Sequence, residues 1–408
     1  MHHDTPLLTT LVLGLGLAYL FGMLAQRCRM PPLIGYLFAG IVIGPFTPGP
    51  LANQALATEL AEVGVILLMF GVGLHFSLKD LMSVKRIAIP GAVIQITIAT
   101  LLGMALAWVM GWPWGNGLVF GLSLSVASTV VLLKALQKYD LEQTDEGRIA
   151  IGWLIVEDLA MVLILVLLPA LAGLLGGHNP NDTGEQSLLT LLGVTLAKVA
   201  AFVAFMLIIG RRVIPWVLEK TVWTGSRELF RLGVLAIALG VAYGASHLFG
   251  VSFALGAFFA GMVLAESEFS HRAAEESLPL RDAFAVLFFV SVGMLFDPRI
   301  ILQQPLALLG TVLVIVIGKS LAAWAIVRAY GYSHRVAGTI SASLAQIGEF
   351  SFILATVGMS LGLLNSDANA LIIAGALISI LLNPPLFSIL TRAIPTPGNA
   401  TDGSTEKS

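Results

Sequence analysis

The sequence predicts an all-α membrane protein of about thirteen transmembrane helices, arranged as two inverted-topology repeats with crossed, interrupted helices. Three observations predict it. Charge is scarce, with 57% hydrophobic and 11% charged residues among 408 and a mean hydropathy of +0.92, where a soluble domain carries about 25% charged residues. Apolar runs of membrane-crossing length recur along the chain. Short motifs of one half also reappear in the other at a nearly constant offset.

The runs come first. A span needs roughly 20 apolar residues, fewer if kinked. Candidates lie near 6–26, 31–46, 54–76, 87–111, 115–137, 148–175, 188–214, 228–248, 250–265, 283–296, 303–329, 335–361 and 368–391. The first has no basic residue ahead of it and no small-residue cleavage site, so it reads as a span and not as a signal peptide. An odd number puts the termini on opposite sides. With the N-terminus outside, Arg299 is the one basic residue in an outer loop, Lys198 and Lys319 lie within spans, and the other 19 of the 22 Lys and Arg fall inside. That asymmetry is what membrane orientation requires.

The repeats follow. LIGYLFAG at 33–40 echoes ALGAFFAG at 254–261, GVGLHF at 71–76 echoes SVGMLF at 291–296, and SLSVA at 123–127 echoes SASLA at 341–345. Small-residue strings recur in membrane helices for packing reasons, but three in order at offsets of 218–221 point to a duplication. The displacement is seven spans, so the copies cross in opposite directions. Inverted repeats are the architecture of secondary transporters, with the site at midplane where broken helices meet. The expected units are 1–175 as the first repeat, 176–225 as a connector with span 7, and 226–394 as the second repeat. Residues 395–408 form a polar tail that holds no regulatory nucleotide-binding domain.

Deep charges mark the candidate site. An ionised group at the bilayer centre costs at least about 2.5–3.5 kcal/mol, yet Glu157, Asp158, Lys319 and Glu349 all lie well inside their runs. Glu157 and Asp158 are adjacent, so on a helix they point about 100° apart. Lys319 is the natural partner of one of them, which leaves the other to hold a proton or a cation. The bland reading, a structural ion pair in a polar bundle, leaves that second carboxylate unexplained. Glu349 lies in AQIGEFS at 345–351, where Gly348 and the polar run favour an unwound helix. Its counterpart is the stretch from Ser125 to Thr129, with Ser128 between them. Freed carbonyls and hydroxyls there could supply oxygen ligands; small-residue packing is the competing explanation. Glu62 and Lys198 read as interface and snorkelling residues, and His75 as an interface histidine.

Other classes fit less well. Cys28 is the only cysteine, which removes internal disulfides and cysteine-based zinc sites. Net charge is −2 with no basic arm, so nucleic acid is not a partner. A channel would show a carbonyl-filter motif in each repeat. An intramembrane protease would need a deep histidine beside Ser128 or a Gly-x-Gly-Asp setting for its acids. Neither is present, no cofactor is implied, and the chain does not read as an enzyme.

The same residues carry a family resemblance. PLIGYLFAGIVIGP at 32–45, ALGAFFAG at 254–261, LFFVSVGM at 287–294 and SLAQIGEFSF at 343–352 resemble the signature stretches of the second monovalent cation:proton antiporter family, nearest to its Kef-type potassium/proton exchangers. The resemblance covers about 6–394. It implies a sodium/proton antiporter-like fold, a homodimer in a bacterial inner membrane with a periplasmic N-terminus and cytoplasmic C-terminus, and elevator-like alternating access. It also places the ion- and proton-carrying carboxylate at Asp158, with Glu157 and Lys319 as the neighbouring charge pair. The crossing helices then carry Ser125, Ser128, Thr129, Gln346, Gly348 and Glu349, and Asp158, Ser128 and Thr129 would hold the monovalent cation. Kef-type proteins resemble Gln-Asp at the acidic pair. The Glu157-Asp158 of this chain is closer to sodium/proton relatives, so potassium is the expected cation and sodium the runner-up, with a channel a distant third.

Overall fold

A computed structural model of the chain describes residues 6–28, 30–48, 53–74, 78–142, 144–178 and 188–392, and every regular element among them is helical. In order these are α1 (Pro6–Arg27), α2 (Pro32–Ile43), α3 (Gln54–Leu74), α4 (Leu78–Val109), α5 (Trp114–Ser125), α6 (Thr129–Lys138), α7 (Asp145–Leu171), α8 (Leu188–Phe205) and α9 (Arg211–Trp223). There follow α10 (Arg227–Phe249), α11 (Phe253–Ala265), α12 (Ser270–Met294), α13 (Ile300–Gln303), α14 (Pro305–Leu313), α15 (Lys319–Ala329), α16 (His334–Leu344), α17 (Glu349–Ser360) and α18 (Ser366–Arg392). One-turn π segments join α8 to α9 and α14 to α15.

Among the described residues, nine helices are long and apolar enough to cross a membrane, or ten if the bent pair α16–α17 is one span. The thirteen predicted runs differ from this count for a physical reason. Runs 31–46 and 250–265 hold helices of only 12 and 13 residues, each roughly 18–20 Å long at 1.5 Å per residue. Runs 115–137 and 335–361 are each broken into two helices. Boundaries also moved: α4 begins at Leu78 where apolarity begins near 87, and α12 begins at Ser270 where it begins near 283. Hydropathy registers only what lipid must accept, whereas these helices continue past the apolar stretch through Lys85 and Arg86, and through Arg272 and Glu275. His75 and the 395–408 tail lie outside the described residues.

Two bundles form. In one, α12 packs on α3 and α2, and α11 on α3 and α10; in the other, α4 packs on α5 and α7, α16 on α15, α18 and α7, and α17 on α5. The glycines of the repeated motifs bring helices of the first bundle together. Gly40 (α2) lies against the Val290 carbonyl and Gly293 (α12), while Gly261 (α11) lies against the Phe70 carbonyl and Gly73 (α3). A Cβ at any of these four would overlap a backbone oxygen, so the approach needs glycine at each.

Candidate ion site

The second bundle contains both helix breaks. α5 ends at Ser125 and α6 begins at Thr129, with Val126 and Ser128 extended between them. The Ser128 hydroxyl caps α6 by accepting the Val131 N–H at 3.3 Å, which is the local reason a new helix starts there. α16 ends at Leu344, and α17 starts at Glu349 after an extended Gly348, with a 43° bend between them.

The breaks lock onto each other. The Ser128 N–H donates to Gln346 Oε1 at 2.9 Å, and Gln346 Nε2 donates back to the Ser128 carbonyl at 3.2 Å. The Ser128 hydroxyl donates to Glu349 Oε2 at 3.0 Å. Any Cβ on Gly348 would overlap Ser128 Cα, so glycine is what permits the contact.

α7 brings its acids to the first break. The Ala127 N–H donates to Glu157 Oε2 at 2.9 Å, and Thr129 Oγ1 donates to Asp158 Oδ2 at 3.2 Å. Lys319 Nζ donates to the Gln346 carbonyl at 2.8 Å in the second break. Glu157, Asp158, Lys319, Gln346 and Glu349 are all buried. Their second oxygens, Glu157 Oε1 and Asp158 Oδ1, have no hydrogen-bond partner.

The expected charge pair takes a different form. No nitrogen of Lys319 comes within 4.0 Å of a Glu157 oxygen. Each is instead held by the backbone of a different break, and they interact across the gap as charges. Glu349 similarly feels the guanidinium of Arg281 from α12. On Asp158, among the described residues, the leading charges are those of Glu349 and Glu157, both acidic.

Of the residues singled out in the sequence, the structure brings together Ser128, Thr129, Glu157, Asp158, Lys319, Gln346, Gly348 and Glu349. Ser125 differs. Its hydroxyl turns back to the Leu122 carbonyl of its own helix at 2.8 Å, and its carbonyl is taken by Gln95 Nε2 at 3.0 Å. Sequence reasoning passed over Gln95 and Asn383. Both are buried amides in apolar runs, and Asn383 Nδ2 donates to the Ala342 carbonyl in the last turn of α16 at 2.7 Å. A lone amide inside a span was the available signal. Lys198 and Glu62 are exposed on the bundle surface.

The electrostatic link between Glu157 and Lys319 gives a testable asymmetry. Lys319→Met leaves Glu157 buried without its compensating charge and the Gln346 carbonyl without a donor, a loss of about 3 kcal/mol by analogy with one-sided removal of a buried charge. Adding Glu157→Gln removes the orphaned charge. The double variant is expected to melt at or above the Lys319→Met single in detergent; a double variant less stable than either single would contradict the coupling.

Comparison with known proteins follows the same outline. The model of the transmembrane sodium/hydrogen exchanger family matches residues 13–393. YbaL of Escherichia coli (strain K12), which carries cation/proton antiport in its name, is 64% identical over 392 residues, 96% of this chain and 70% of its own length. K(+) efflux antiporter 4 of Arabidopsis thaliana is 32% identical over 96% of this chain and 65% of its own length. Among solved structures, the sodium proton antiporter MjNhaP1 of Methanocaldococcus jannaschii aligns with a TM-score of 0.67 at 18% identity, covering 95% of this chain and 98% of that one; this likeness shows a shared fold.

Proposed function

The chain belongs to the transmembrane sodium/hydrogen exchanger family, and we propose that it exchanges potassium for protons at Asp158, a site open to one side of the membrane at a time. It is a cation/proton antiporter, a secondary transporter and not an enzyme. The observation that carries the site assignment is that the leading charges on Asp158, among the three buried acids at the breaks, are acidic, while one of its oxygens, like one of Glu157, has no hydrogen-bond partner among the described residues. A carboxylate so placed needs either a proton or a cation, and one displaces the other. That competition is antiport chemistry. Thr129 would add a hydroxyl ligand, and Ser128, which donates to Glu349 and accepts the Val131 N–H, keeps a second lone pair that would serve as another.

Potassium is favoured by the names of relatives, K(+) efflux antiporters 4 and 6 of Arabidopsis thaliana at 32% and 30% identity. Sodium is the second reading, favoured by the two-acid Glu157-Asp158 pair and by the sodium proton antiporter that shares the fold. The experiment is cation-induced dequenching of a pH dye in everted vesicles, with potassium, sodium and lithium in turn. Half-maximal dequenching at the lowest concentration with potassium is the expected result; sodium or lithium at least threefold more effective would reverse the order.

The architecture we infer is thirteen crossings in two inverted repeats, 1–175 and 226–394, joined by 176–225. Counting α2, α11 and the broken α5–α6 and α16–α17 as crossings gives that number. The glycine contacts support the inversion, because Gly40 and Gly261 are repeat equivalents, as are Gly73 and Gly293, and each pair's partners are exchanged: Gly40 meets Gly293 and Gly261 meets Gly73. The first bundle would serve as scaffold and homodimer interface and the second would move as an elevator, in an inner membrane with the N-terminus periplasmic.

A further inference from the structure

We propose that Gln95 is a positioning residue for cation binding, holding the first helix break in the register that presents Asp158. Gln95 is fully buried in α4, and both ends of its amide are engaged. Its Nε2 donates to the carbonyl of Ser125, the last residue of α5, at 3.0 Å. Its Oε1 accepts Trp153 Nε1 of α7 at 3.5 Å. Trp153 stands one helical turn before Glu157 on α7, and Glu157 accepts the Ala127 N–H at 2.9 Å. The chain of contacts therefore closes on itself: Trp153 to Gln95, Gln95 to Ser125, two residues along the break to Ala127, Ala127 to Glu157, and one turn of α7 back to Trp153.

That ring ties α7, which carries Asp158, to the break that carries Thr129, the hydroxyl on Asp158. The contacts are specific to an amide. The site needs a donor toward a carbonyl and an acceptor toward an indole N–H on one side chain, and the amide of Gln carries both in one plane. Gly91, one turn earlier on α4, leaves room for the Trp153 ring, since a Cβ there would overlap it. The second break is held differently, by Lys319 on the Gln346 carbonyl and Asn383 on the Ala342 carbonyl. Without Gln95 the Ser125 carbonyl is buried and unpaired, a state that favours movement of the break to find a donor. Thr129 then loses its fixed place over Asp158, and the cation loses a ligand before the carboxylate loses its chemistry. The consequence is weaker cation binding at a largely retained maximal rate.

This inference rests on the assignment of Asp158 as the carrier, so the experiment separates the two. Exchange is measured in everted vesicles over a concentration series of both potassium and sodium, for Gln95→Met, Trp153→Phe and Asp158→Asn. Gln95→Met keeps length and removes both contacts, so the half-saturating cation concentration should rise at least fivefold while the maximal rate stays within threefold. Trp153→Phe removes the indole N–H that meets Gln95 and also acts on Glu157 but leaves the Gln95–Ser125 contact, and should give a smaller rise, about twofold. A half-saturating concentration within 1.5-fold of the unmutated protein in both variants, whatever happens to the rate, overturns the role of Gln95. If Gln95→Met does not fold, Trp153→Phe and Gln95→Asn decide by the same criterion. Retained exchange in Asp158→Asn would instead overturn the carrier assignment, whatever the Gln95 variants do.

Discussion

Asp158→Asn is expected to reduce exchange below a tenth of the unmutated rate with potassium or sodium, while expression, assembly and melting temperature stay close to those of the unmutated protein. The substitution preserves size. It also preserves the hydrogen bond from Thr129 Oγ1, which lies 3.2 Å from Asp158 Oδ2, because the Asn carbonyl oxygen accepts it as well. What it removes is the ability to release a proton and to neutralise a cation. Removing a charge whose leading charged neighbours are acidic should not destabilise the fold, and a modest gain in melting temperature is consistent with relief of repulsion. Glu157 is less suited to the role, since Lys319 acts on it as a counter-charge. The measurement is dye dequenching in vesicles, paired with a thermal melt in detergent. Exchange above a tenth of the original rate would remove Asp158 as the carrier.

Gly348→Val is expected to have an effect of similar size by a different route. A Cβ at Gly348 would overlap Ser128 Cα and Cβ, and backbone cannot swing aside as the end of a long side chain can. The two breaks must separate, which breaks the paired hydrogen bonds between Ser128 and Gln346 and the one from Ser128 to Glu349. Overpacking of this kind costs about 1–3 kcal/mol, before the loss of buried hydrogen bonds. Exchange should fall below a tenth of the original rate and the melting temperature should fall as well, in contrast to Asp158→Asn. Gly240→Val is the control, because a Cβ there meets nothing within 4 Å. Equal behaviour of the two variants in exchange and melting would mean that the crossing does not depend on the Gly348 contact.

Much of this site was legible in the sequence because membrane burial is expensive. Four ionisable residues deep in apolar runs are rare enough to name a site, and Glu157, Asp158, Lys319 and Glu349 do meet around the two breaks. Gly348 and Ser128 marked the breaks because one lacks a side chain and the other caps a helix. The sequence could not show the form of the Glu157–Lys319 relation. Spacing says which helices carry the charges, but the breaks supply backbone groups that compete for each of them, so the two interact without touching. The role of each Ser125 group was out of reach as well: a serine at a helix end can return its hydroxyl to its own helix, here to the Leu122 carbonyl, while its carbonyl accepts Gln95 Nε2. Gln95 was passed over because an uncharged amide disturbs hydropathy little. The helix boundaries at Leu78 and Ser270 were out of reach of hydropathy because the residues beyond the lipid follow helical, not apolar, preferences.

The central claim, that proton and cation compete for one carboxylate, is tested most directly by proton release. Purified protein in weakly buffered detergent solution, at a pH where the site is protonated, receives potassium or sodium while a pH indicator is followed. Release of about one proton per chain, saturating with cation concentration and absent in Asp158→Asn, is the predicted result. Release of the same size in Asp158→Asn, or cation binding by the unmutated protein with no proton released, would contradict the account.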